Sequence, residues 1–244
     1  MNAWGYTDVG RRRVENQDAY YIDVNEEIKQ AVCVVCDGMG GANAGDIASR
    51  VAIEAFAGRA QGLLRPNRTT EQIRIVLKEA VSYANNQVHA LSKTEEKYQG
   101  MGTTLVGALV SGDSVVVGNV GDSRAYLVDE SGIHRVTRDH SLVEDMIQMG
   151  ELTEQQAKEH PGKNLITRAV GTDEAVTVDL YELKAKPESY LLLCSDGLSN
   201  LVNAQEILYE VVHGGAPEEC CKRLIEIANA RGGYDNITAV LLAF

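Results

Sequence analysis

Four aspartates stand where a strand-like apolar run meets a turn. Asp37 ends Ala31-Val-Cys-Val-Val-Cys and opens Asp37-Gly-Met-Gly-Gly41, and Asp122 follows Val115-Val-Val-Gly-Asn-Val-Gly. Asp196 follows Tyr190-Leu-Leu-Leu-Cys-Ser, and Asp235-Asn236 leads into Ile237-Thr-Ala-Val-Leu-Leu242. A carboxylate at the rim of a buried strand is costly unless positive charge meets it. Within these segments only Arg124 carries any. Hard divalent cations bind carboxylate and carbonyl oxygen and would remove the cost. The pattern predicts a site for two or three metal ions built from strand ends.

Each motif also has a plainer reading. A lone Asp-Gly is most often a turn, but Asp37-Gly38 sits between a buried strand and a helix, with glycines that permit close backbone approach. A dinucleotide loop would need a third glycine at position 43, which is Asn43, and Asp37 would repel a pyrophosphate. The phosphate-cradling Gly-Lys-Ser/Thr loop is absent, because Gly162-Lys163 is followed by Asn164. Arg13-Val-Glu-Asn-Gln-Asp18 reads as a solvated loop, or as an arginine that forks onto a phosphate while Asp18 supports metal-bound water. Cys33 and Cys36 lie three apart on a strand, so they face opposite sides and cannot share a zinc ion. The five histidines show no ligand spacing, and only His140 lies near a motif.

The elements that position these residues follow from periodicity. Strands are expected around residues 3–9, 19–24 and 30–36, then a helix over 44–60 with Ile47, Val51, Ala55 and Phe56 on one face. Thr69-x-x-Gln72 starts a second helix whose apolar stripe runs Ile73, Leu77, Ala80, Ala84, Val88, Leu91. Residues 103–110 and 114–120 form a hairpin around Ser111-Gly-Asp113, and 124–128 pairs with 133–136. Ser141-x-x-Glu144 and Thr153-x-x-Gln156 are read as capping boxes of two short helices in a polar flap, about residues 140–163. Strands return at 176–183, 190–194 and 237–244. Helices fall between, one starting at Asn203-x-x-Glu206 and one with Pro217 in its first turn and Gly232 at its end. Plentiful hairpins and scarce strand-helix-strand alternation imply an α+β domain of mainly antiparallel sheets with helices packed outside.

The 244 residues suit one domain spanning 1–244. A net charge of −12 argues against nucleic-acid and anionic-membrane surfaces, although bound cations would invert the local field for a phosphate substrate. The start lacks signal-peptide character, no apolar run approaches the roughly 18 residues of a membrane span, and five cysteines are no disulfide framework. A cytoplasmic protein is expected.

Taken in order, Arg13…Asp18, Asp37-Gly-x-Gly-Gly, Gly102-Thr-Thr, Gly118-Asn-Val-Gly-Asp122-Ser-Arg, Ser195-Asp196-Gly197 and Asp235-Asn236 resemble the metal-dependent protein serine/threonine phosphatases of type 2C (the PPM family), in the short bacterial stand-alone form. The resemblance covers essentially the whole chain. It implies a four-layer αββα sandwich, two antiparallel sheets flanked by helices, with a flap beside the site. It further implies two Mn²⁺ or Mg²⁺ ions, with Asp37 bridging them, the Gly38 carbonyl on one, and Asp196 and Asp235 on the other. Asp122 matches a third, weaker site shared with Asp196, Asp18 a holder of metal-bound water, and Arg13 the arginine that binds substrate phosphate. Hydrolysis of phosphoserine and phosphothreonine by a metal-activated water would follow, with no protein nucleophile. The expected partners are phosphorylated proteins, among them a bacterial Hanks-type Ser/Thr kinase and its substrates, met by a monomer.

Two positions depart from the family pattern. Met39 stands where many eukaryotic members carry a histidine, and Gln17 where many carry glutamate. Neither removes a direct ligand. Three rivals differ in what they require. A catalytically silent metal-binding interaction module would show lost aspartates, and a phosphatase of anti-sigma-factor antagonists would carry a sensor domain. A metal-dependent nuclease would need a basic stripe.

Overall fold

Strand after strand alternates its apolar residues between two cores. In the computed structural model, which describes residues 1–40 and 44–244, this alternation builds two antiparallel sheets. Gly41, the last residue of the glycine motif, and Asn43, where the dinucleotide pattern fails, lie outside the described residues, as does the side chain of Lys158. In chain order the strands are β1 (Asn2–Asp8), β2 (Asp18–Asn25), β3 (Gln30–Met39), β4 (Gly102–Thr103), β5 (Leu105–Ser111), β6 (Ser114–Val120), β7 (Arg124–Asp129), β8 (Gly132–Arg135), β9 (Asp179–Lys184), β10 (Tyr190–Cys194) and β11 (Ile237–Ala243). One sheet runs β1-β11-β10-β7-β8 and the other β2-β3-β5-β6-β9, with β4 paired to the end of β3.

Two long helices, α1 (Gly45–Leu63) and α2 (Thr70–Ser92), pack on the second sheet. Two short ones, α3 (Leu142–Gln148) and α4 (Glu154–Glu159), occupy the flap region. The one-turn α5 (Asp196–Ser199) follows β10, and α6 (Ala204–His213) and α7 (Cys220–Ala230) cover the first sheet. The order of layers is helix, sheet, sheet, helix.

β3 shows how the period of two sorts residues. Ala31, Cys33 and Val35 enter the core between the sheets with Leu191, Leu193 and Val240. Val32, Val34 and Cys36 face the helices with Phe56 and Leu77. Cys33 and Cys36 therefore do lie on opposite faces. Each fully buried leucine of this kind contributes about 1.5–3 kcal/mol through removal of apolar surface from water.

Helix starts follow the predicted chemistry, with full capping boxes at Thr69/Gln72, Thr153/Gln156 and Asn203/Glu206. The Ser141 cap is only half a box. Its hydroxyl accepts from the Glu144 N–H, but the Glu144 carboxylate accepts from the Gln148 amide at 3.3 Å and faces Arg138 at 3.6 Å. The buried stripe of α1 is Ala48, Ala52, Ile53, Phe56, Ala57 and Ala60, with Ile47, Val51 and Ala55 at its margin. Ala48, Ala52 and Ala60 lie in the core that α1 shares with α2 and the second sheet. Residues 176–178 precede β9 rather than joining it, and Pro217 sits in a 3₁₀ turn ahead of α7.

Candidate metal centre

Antiparallel pairing brings the aspartates together. Asp18 opens β2 directly across from Asp37, near the end of β3. β10 and β11 are neighbours, so Asp196, just past β10, and Asp235, just ahead of β11, share one end of the first sheet. Asp122 follows β6 in the turn toward β7.

The backbone around Asp37 is pinned from three sides. Its N–H donates to Thr104 Oγ1 at 2.9 Å, and its carbonyl accepts from the Thr104 N–H and Thr103 Oγ1, both at 2.9 Å. Gly38 N–H donates to the Gln17 carbonyl at 3.1 Å. A side chain at Gly38 is impossible, since its Cβ would fall 1.9 Å from the Gly45 carbonyl oxygen. Gly121, at φ +103°, makes the turn that delivers Asp122.

Asn236 closes the opposite wall. Its amide donates to the Val9 and Glu15 carbonyls at 2.9 Å each, and its Oδ1 accepts from the Gln17 N–H at 2.9 Å. One side chain thus fixes the loop that carries Arg13. Arg13 Nη2 donates to Asp235 Oδ2 at 2.8 Å, with both side chains partly exposed. Ser195 Oγ donates to Asp18 Oδ2 at 2.7 Å and accepts from the Thr238 N–H at 3.0 Å.

Little in the chain compensates the charge gathered here. Burial, followed by the charges of Asp18, Asp196, Asp122 and Asp235, holds the Asp37 carboxyl well above the ordinary carboxylate range. Burial pushes Asp18 up to about 7 against the pull of the Ser195 hydrogen bond. Burial and the Asp196 charge push Asp122 up to about 7. Asp196 is raised by burial and by Asp235. Arg124, the cation the sequence offered, is spent elsewhere: its guanidinium forks onto Asp139 at 2.7–3.1 Å.

Asp18 Oδ1 and Asp196 Oδ1 are buried with no hydrogen-bond partner among the described residues. Orphaned carboxylate oxygens among five aspartates are the donor chemistry of Mg²⁺ or Mn²⁺. Among the described residues no three His, Cys, Asp or Glu side chains form a ready-made ligand shell. Mg²⁺ does not require one, because it keeps several waters and takes one or two carboxylates. The residues fit a hard divalent cation.

Sequence reasoning assigned no role to Ser195, Asn236, Thr103 or Thr104, although each stands inside a quoted motif. Gln17 and Met39 sit at the edge: the Gln17 amide lies against Gly45, and the Met39 methyl against Gly102. His140, the one histidine near a motif, is buried. Its Nδ1 accepts from the Gly121 N–H at 3.0 Å, and the His140 backbone N–H donates to the Gly121 carbonyl at 2.9 Å. It grips the turn ahead of Asp122.

The sequence pattern of Protein phosphatase 2C matches residues 10–236. The chain belongs to the protein phosphatase 2C family. It is 37% identical over 245 residues to the serine/threonine phosphatase stp of Listeria welshimeri, covering 99% of this chain and 95% of that one. Its fold matches the crystal structure of the serine/threonine phosphatase Stp1 from Staphylococcus aureus at TM-score 0.91 and 36% identity, covering 100% and 95%. A crystal structure of the catalytic domain of the phosphatase PstP with two manganese ions matches at TM-score 0.85 and 31% identity, covering 98% and 96%. This protein phosphatase 2C is a metal-dependent protein serine/threonine phosphatase, and its substrates are phosphorylated proteins. The silent-module alternative is not favoured. No helix among the described residues is long and apolar enough to cross a membrane.

Proposed function

We propose that the enzyme works with two Mn²⁺ or Mg²⁺ ions held by Asp37, the Gly38 carbonyl, Asp196 and Asp235, with Asp122 and Asp196 serving a third, weaker site. The observation that carries this reading is the uncompensated burial of Asp18, Asp37, Asp122 and Asp196 beside orphaned carboxylate oxygens. When bound, such ions supply a water made acidic enough to attack phosphorus near neutral pH and a positive field for the phosphoryl oxygens.

The chain's own groups do the rest. Asp18, anchored by Ser195, presents its free Oδ1 as an acceptor that orients a water. Arg13 stands at the mouth, half-exposed, and its planar fork suits two phosphate oxygens once it leaves Asp235. Asn236 and the Thr103–Thr104 pair hold the walls, so little reorganisation accompanies the reaction. Met39 cannot donate a proton, which leaves protonation of the departing serine or threonine oxygen to solvent at the centre.

We assign the whole chain, 1–244, to one catalytic domain with residues 140–163 as a flap subdomain. It acts as a cytoplasmic monomer opposing a Ser/Thr kinase. The direct test is hydrolysis of para-nitrophenyl phosphate and a phosphothreonine peptide with Mn²⁺, with Mg²⁺ and with chelator, beside Asp196→Ala. Turnover that needs metal and is lost in the variant supports the assignment. Turnover that survives both chelator and Asp196→Ala overturns it.

A further inference from the structure

The mouth of the centre carries charge that the mechanism does not use. Of the fourteen arginines, Arg11, Arg12 and Arg68 alone make no side-chain hydrogen bond or ion pair among the described residues. Arg68 has a buried Nε, whereas Arg11 and Arg12 are exposed and adjoin Arg13. The loop is held in place: Arg11 N–H donates to the Gly233 carbonyl at 2.7 Å, and Asn236 clamps both of its ends. The Arg11 side-chain stem runs over Gly233, two residues from Asp235. Val14, 96% exposed, follows Arg13 in the chain, and Tyr234, 60% exposed, follows Gly233. A held backbone therefore carries two free guanidinium groups next in sequence to the arginine proposed to take the phosphate, and this segment forms a lip of the site.

Net charge makes this lip unusual. The protein carries −12 overall, so its long-range field repels an acidic partner. At physiological salt that field is screened beyond about 8 Å. Arg12 adjoins Arg13 and Arg11 lies two residues away, within about 8 Å along the chain. A peptide whose phosphoryl group has reached the site therefore meets the local positive charge rather than the global negative one. Were these arginines only balancing the aspartates, they would pair with them, and among the described residues only Arg13 does.

Resting on the phosphatase reading above, we propose that Arg11 and Arg12 are specificity determinants that select phosphoprotein segments with acidic residues flanking the phosphoserine or phosphothreonine. Exposed charges act mainly on encounter and show strong salt dependence, and each exposed pair is worth little, so the preference is expressed in KM.

The test compares wild type with Arg11→Gln/Arg12→Gln and Arg11→Lys/Arg12→Lys in Mn²⁺. The substrates are para-nitrophenyl phosphate and two phosphothreonine peptides, alike except for glutamate or alanine on both sides of the phosphothreonine. Wild type should turn over the glutamate peptide with kcat/KM about 5- to 10-fold above the alanine peptide, through KM, and lose that margin at high salt. The glutamine variant should lose the preference and the lysine variant keep it, with para-nitrophenyl phosphate turnover within about two-fold throughout. Fluorescence anisotropy of the glutamate peptide against chelator-treated protein reads the lip without turnover. Equal wild-type use of the two peptides, or a preference that survives the glutamine variant, overturns the proposal. Failure of wild type on para-nitrophenyl phosphate with peptide binding intact strikes the metal assignment instead.

Discussion

Asp18 and Asp139 are almost equally buried, at 7% and 6% exposure, yet their surroundings have opposite character. Asp139 receives Arg124 at 2.7 Å and Arg135 at 2.6 Å, two guanidinium groups on one carboxylate. Asp18 receives one serine hydroxyl, has an orphaned oxygen, and faces Asp37, Asp196 and Asp235. The first is a finished structural ion pair cluster that ties β7 to the flap base. The second is unfinished without a cation. A buried charge that the chain compensates is architecture, and one that it leaves uncompensated marks the place where something else must bind.

The comparison breaks first on Asp37→Asn. Activity should fall on the order of 1,000-fold, about 4 kcal/mol of barrier, while the metal-free protein should melt higher, because a repelled charge is gone. A lower melting temperature in chelator would mean that the aspartates are compensated after all. Asp139→Ala should do the reverse. Stranding Arg124 and Arg135 should cost about 3 kcal/mol of stability, roughly 6–12 °C in melting temperature for a chain of this size. A denaturant or thermal melt reads it directly.

How much of this was legible beforehand follows from contact range. The aspartates could be found because each ends or begins an apolar run, a signal carried by neighbours in sequence. Capping boxes and hairpins were legible for the same reason. The Arg13–Asp235 pair spans 222 residues and the Ser195–Asp18 bond 177, and no local pattern encodes either. The diversion of Arg124 to Asp139 was hidden likewise, because it depends on a turn that returns residues 135–139 alongside β7. The inward face of α1 is centred on alanines, with the bulkier Ile47 and Val51 at its margin, an order that hydrophobic periodicity does not rank.

A smaller effect sharpens the contrast. Divalent cation at 100 times its dissociation constant should stabilise the folded chain by about 2.7 kcal/mol, several degrees, with no such gain in Asp37→Asn. The smallest concerns His140, which faces Asp179, Arg168 and Asp139. Burial holds its pKa below the ordinary histidine value. Its contribution to stability is therefore present above about pH 6.5 and is lost as pH falls, since the unfolded chain then binds the proton more readily. Melts of wild type and His140→Asn between pH 7.5 and about pH 5 should converge toward the acid end.

Calorimetric titration of Mn²⁺ into chelator-treated wild type and Asp37→Asn tests the central claim most directly. The account predicts at least two ions bound by wild type, with that binding lost in the variant. Equal stoichiometry and affinity in both proteins would contradict it.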